Sequence, residues 1–119
     1  MAEAKTYTGS CHCGKVRYEV TMELGQVTEC NCSHCSRKGF LLQFVPAEQF
    51  KLLQGEQALT EYRFNRRVIQ HLFCSTCGVQ SFARGNRPDS TAVVAVNVRC
   101  LEGVDATALP RKQVDGKRL

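Results

Sequence analysis

The chain has 119 residues, 43% hydrophobic and 23% charged, with no Trp. This length suits one ordinary domain, the composition is that of a globular protein and not a disordered one, and no stretch reaches the ~18 consecutive apolar residues that a spanning helix requires. Sixteen basic against eleven acidic residues leave a formal charge of +5, which favours anionic small molecules, acidic partners or nucleic acid without choosing among them.

The opening MAEAKTYTG lacks the apolar segment of a secretory signal, so a cytoplasmic location is expected, where cysteines stay reduced. KTYTGS reads as a strand. After it, KVRYEVTM alternates strictly, with Val16, Tyr18, Val20 and Met22 on one side and Lys15, Arg17, Glu19 and Thr21 on the other, the pattern of a half-buried partner strand. CHCG would form the tight connection, Gly14 supplying the positive φ. Farther on, PAEQF offers one turn of helix, with Pro46 at its first position and Phe50 at its end. LTEYRF and RVIQHLF, joined through Asn65 and Arg66, predict a second hairpin over Leu59 to Phe73 that runs into CSTCG. VQSFARG predicts a short strand, GNRPDS a loop, and TAVVAVNV a buried strand. From Asp105 onward the pattern lapses. A core over about 7–105 is therefore expected within a single domain spanning 1–119, with a tail over 106–119 that stays poorly ordered unless a partner subunit, as in a homodimer, holds it.

Cysteines at 11, 13, 30, 32, 35, 74, 77 and 100 form three tight groups and one singleton. Two thiolates one or two residues apart in a turn can bind the same zinc ion, and zinc wants four ligands in a tetrahedron. Cys74 and Cys77 followed by Gly78, and Cys11 and Cys13 followed by Gly14, predict two halves of one closed site. Binding them to one ion would close a loop of about sixty residues and so restrict the unfolded chain. Cys30, Cys32 and Cys35 offer three ligands and leave a fourth position for water or a sulfur compound, as catalytic zinc does. Zinc with three thiolates carries a net charge of −1, which Arg37 and Lys38 would offset while attracting an anionic substrate.

Other readings stay open at this level. Disulfides would absorb the cysteines in an oxidising compartment. His34, His12, His71 or Cys100 could complete the middle trio and close it. The knuckle turn points His34 outward, His71 sits mid-strand as a structural histidine, and Cys100 fits as a small buried hydrophobe. The trio could also serve redox or zinc-buffering chemistry. A non-catalytic, zinc-stabilised module that binds nucleic acid or a protein is the main alternative to an enzyme; nucleic acid is disfavoured because no aromatic residues interleave with a basic stripe.

The sequence resembles the glutathione-dependent formaldehyde-activating enzymes, grouped with the centromere protein V domain. The likeness rests on Cys-x-Cys-Gly with a following Val and Tyr at Cys11 to Tyr18, Cys-x-Cys-x-x-Cys with a following Arg-Lys at Cys30 to Lys38, and Cys-x-x-Cys-Gly at Cys74 to Gly78. VAVNV and LEGVD extend it toward Asp105. This resemblance implies an all-β fold of the β-tent type, two small antiparallel sheets pinned by zinc with little helix. It also implies two zinc ions per chain, a structural one on Cys11, Cys13, Cys74 and Cys77 and a catalytic one on Cys30, Cys32 and Cys35. The implied activity is that of a carbon–sulfur lyase joining glutathione to formaldehyde as S-hydroxymethylglutathione.

Overall fold

A computed structural model describes residues 4–63, 69–86 and 90–114. Strands β1 (Lys5–Ser10) and β2 (Arg17–Met22) pair antiparallel from Lys5 opposite Met22 to Ser10 opposite Arg17. The alternation predicted for this segment holds, since Val16, Tyr18, Val20 and Met22 are all buried. There follow β3 (Val27–Cys30), helix α1 (Ser33–Lys38), β4 (Leu42–Pro46), β5 (Phe50–Gln54), β6 (Leu59–Tyr62), β7 (Gln70–Cys74), β8 (Phe82–Asn86), β9 (Ala92–Asn97) and β10 (Arg111–Val114).

Two sheets result. One has the order β1-β2-β5 and the other β10-β3-β4-β9-β8-β7-β6. The core lies where β2 meets the larger sheet, packing Tyr18, Val20 and Met22 with Val45, Leu72, Phe82, Val94 and Val96. Tyr18 is its centre: the ring lies 5.0 Å from Phe50 and 5.9 Å from Phe82, and the hydroxyl donates to the Ser81 carbonyl at 3.4 Å. Full burial of such an aromatic stabilises by roughly 1.5–3 kcal/mol. Gly9 makes room for it, because a Cβ there would overlap the Tyr18 ring.

The far face of the larger sheet is also largely apolar. Strand register aligns Phe44, Ala95, Ala83, His71 and Tyr62 in one row across five strands. Phe40, Leu42, Ala83 and Ala95 form a small cluster there, with Cys35 of α1 packed against it. The helix thus rests on the outer face of the sheet, away from the main core.

Several expectations are revised. The larger sheet has seven strands, and its edge pair β10–β3 is parallel. Residues of the expected tail take part in that pair: Val27 N–H donates to the Pro110 carbonyl at 2.9 Å, and Asn31 N–H to the Val114 carbonyl at 3.1 Å. β10 is mostly exposed. It is held by backbone pairing and by Arg111 and Gln113, which both reach Glu29, so it needs no hydrophobic alternation. The predicted helical turn is a 3₁₀ turn at Ala47–Gln49, and Phe50 begins β5 instead. Strands β6 and β7 do pair as the second hairpin, whose turn at Asn65 and Arg66 lies outside the described residues. No helix among the described residues is long and apolar enough to cross a membrane.

Candidate metal centres

The β1–β2 connection presents Cys11 and Cys13, and the end of β7 presents Cys74 and Cys77. Both knuckles use one device. Gly14 and Gly78 adopt φ of 84° and 81°, and their N–H groups donate to the carbonyls of Cys11 and Cys74 at 3.3 and 2.8 Å. Only glycine takes that left-handed backbone cheaply, which is why each pair is followed by one. Lys15 joins the two knuckles by donating to Thr76 Oγ1 at 3.0 Å.

The four thiol groups converge, with all sulfurs within 4.8 Å of one another. Cys11 Sγ to Cys13 Sγ and Cys13 Sγ to Cys74 Sγ are both 3.6 Å. Two sulfurs bound tetrahedrally to one zinc at about 2.3 Å would stand about 3.8 Å apart, whereas a disulfide requires about 2.05 Å. All eight cysteines are free thiols, and the separations fit a shared ion. Backbone N–H groups of Cys13 and Val79 pull the Cys77 thiol down to about 6, and the Cys77 N–H lowers Cys74. Donors aimed at sulfur favour the thiolate that a metal requires.

Cys30, Cys32 and Cys35 form the second group, again within 4.8 Å, and among the described residues no further His, Cys, Asp or Glu joins it. Cys32 N–H points at Cys30 Sγ at 3.5 Å. Cys32 Sγ caps α1 by accepting the Cys35 N–H at 3.3 Å. Burial opposes ionisation of Cys32, yet the N–H groups of Cys35 and His34 and the neighbouring thiols outweigh it, and its pKa is lowered. Cys35 is raised, first by burial and then by the neighbouring Cys32 and Cys30 thiols.

A cleft of ≈ 380 Å³ opens beside the trio, lined by Cys30 and Cys35 together with Glu29, Asn31, Phe40 and Gln113. The wall from β10 could not be read from sequence, because a polar edge strand has no periodic signature. Arg37 and Lys38 do not face this cleft. Arg37 bonds the Ser33 carbonyl at 2.8 Å, and the Lys38 ammonium lies 5.5 Å from the Phe73 ring centroid, on the other side of α1.

Nor does His34 point outward. Its ring stacks on Tyr62 at 5.8 Å and lies 4.2 Å from that of His71. Burial, then the charges of His34 and Lys38, depress His71 to about 4, and burial followed by Lys38 lowers His34. Neither histidine belongs to a sulfur group, and Cys100 is half-buried near the Gln80 carbonyl at 4.0 Å, outside the main core.

A two-sheet β protein with one four-thiol and one three-thiol group, each able to hold a metal ion, is the class that fold and site define. Residues 6–114 match the family model described as "Glutathione-dependent formaldehyde-activating enzyme", and the chain belongs to that family. It is also similar to the crystal structure of a Rhodobacter sphaeroides protein at 33% identity, covering 88% of this chain and 99% of that one, with a TM-score of 0.76.

Proposed function

We propose that the chain is a cytoplasmic zinc enzyme that adds the thiol of glutathione to formaldehyde, giving S-hydroxymethylglutathione, or releases the aldehyde in the reverse, carbon–sulfur lyase direction. Going forward, a bond forms between the glutathione sulfur and the aldehyde carbon, and the thiol proton ends on the former carbonyl oxygen. In this reading Cys11, Cys13, Cys74 and Cys77 hold a structural zinc, and Cys30, Cys32 and Cys35 hold the reactive one. Zinc bound by the trio would supply Lewis acidity, stabilising a thiolate or polarising an aldehyde oxygen.

One observation carries the proposal: three thiols converge beside a cleft that Cys30 and Cys35 line, and no further His, Cys, Asp or Glu among the described residues joins them. The cleft falls within the ordinary size range of small-molecule sites. Glu29, Asn31 and Gln113 make one side of it polar, with Gln113 and Arg111 bonded to Glu29, and Phe40 contributes an apolar wall. Family membership supports the choice of glutathione and formaldehyde.

The test combines metal analysis with product formation followed by NMR. Purified protein is expected to carry two zinc ions and to form the adduct faster than buffer does. Cys32→Ser should keep the four-sulfur zinc and lose turnover. Parent-level turnover in that variant, or none in the parent carrying two zinc ions, refutes the reading.

A further inference from the structure

Behind α1, on the side opposite the cysteine cleft, lies a second cavity of ≈ 280 Å³ lined by His34, Arg37, Lys38, Tyr62, Phe73 and Gln80. Among the described residues it shares no lining residue with the first. Its volume equals that of about nine waters in bulk liquid, enough for a ligand of about ten heavy atoms.

The lining is chemically selective. Two cations stand on one wall, and among the described residues neither Arg37 nor Lys38 forms an ion pair. Arg37 is braced through Nη1 on the Ser33 carbonyl, which leaves the other guanidinium N–H groups for an acceptor. Tyr62 and Phe73 supply flat apolar surface. At the floor, Gln80 is 5% exposed, and its side-chain Oε1 has no hydrogen-bond partner. The residue is held by its backbone, whose carbonyl accepts from Asn97 Nδ2 at 2.9 Å. A buried amide oxygen without a partner is costly and uncommon in folded proteins. Reorienting the carboxamide about its last torsion would turn either a donor or an acceptor toward the cavity.

From this arrangement we infer that the second cavity binds a small carboxylate with a flat apolar body. The carboxylate pairs with Arg37 and Lys38, the body lies against Tyr62 and Phe73, and the Gln80 amide completes the hydrogen bonding. Among the described residues the site shares no lining residue with the proposed reaction centre, and α1 contributes to both.

Benzoate is a suitable probe, with benzyl alcohol as its uncharged counterpart, titrated into the zinc-loaded full chain and followed by amide NMR shifts. Benzoate should bind saturably, with a Kd of about 1 mM for a ligand of this size, and shift amides in α1, around Phe73 and around Gln80. Arg37→Gln/Lys38→Gln should weaken binding at least tenfold with zinc content unchanged. Should the double variant lose its fold, judged by its amide spectrum, Arg37→Gln alone serves the same comparison. Benzyl alcohol should bind at least tenfold more weakly than benzoate. Absence of saturable shifts, equal binding of the alcohol, an unaffected Kd in the charge variants, or shifts confined to Glu29, Cys30 and Gln113 would each overturn the inference.

Discussion

Replacing Cys74 by Ser should damage the whole domain, whereas replacing Cys32 by Ser should act locally. Cys13 and Cys74, 61 positions apart, bring their sulfurs to 3.6 Å, so a metal held there closes a long loop. Chain-entropy reasoning assigns about 4 kcal/mol to a cross-link over a loop of that length. That is a large share of the roughly 5–15 kcal/mol that stabilises an ordinary domain. The trio from Cys30 to Cys35 closes a loop some tenfold shorter, for which the logarithmic dependence on length gives about 2 kcal/mol less. Urea unfolding of zinc-loaded parent and variants under reducing conditions, with zinc content measured in parallel, should therefore place Cys74→Ser about 2 kcal/mol below Cys32→Ser. Equal stabilities in two variants that have each lost one zinc would refute the assignment of the long-range tie to the four-sulfur group.

Three further outcomes are expected. His71 ionises less readily in the fold, at about 4, than its ordinary value of about 6.5; the unfolded chain binds the extra proton, so stability is full above pH ~6.5 and falls as pH drops toward 4. Urea unfolding should show the parent losing about 2 kcal/mol more than His71→Asn between about pH 7 and about pH 5, and parallel profiles would contradict this. Gly55→Ala should cost about 1–3 kcal/mol in thermal unfolding, because φ is +96° and a Cβ would overlap the Lys15 carbonyl oxygen and lie 2.7 Å from Val16 Cα; an unchanged Tm would rule out that strain. Tyr18→Ala should cost about 3–5 kcal/mol through the cavity left between Phe50 and Phe82, and a loss under about 1 kcal/mol in urea would show that the two sheets can close over the gap.

Local signals were readable where chemistry or periodicity repeats at short range. The glycine after each cysteine pair announced its knuckle, and the alternation through Tyr18 marked β2 and its buried side. Helix α1 left no such trace. It has 6 residues, none of them buried, and its N-cap is the Cys32 thiol, where the usual signal is Ser, Thr, Asp or Asn. β3 runs straight into the second cysteine group, and β4 ends on Pro46, so neither presents a clean alternating stretch bounded by turns. β10 is specified by a partner more than eighty positions away in the chain, through Arg111 and Gln113 on Glu29. The meeting of His34 with His71 likewise depends on helix placement over the sheet, which periodicity cannot supply. The cysteine groups were thus legible as clusters able to hold a metal ion, while the cavities on either side of α1 were not.

A single sulfur atom at Cys32 both caps α1 and faces the proposed reactive ion. A helix of two turns or fewer has little stability of its own in water. Alkylation or oxidation of that sulfur would therefore remove the cap, at a cost of about 1 kcal/mol, from the short helix that stands between the two cavities.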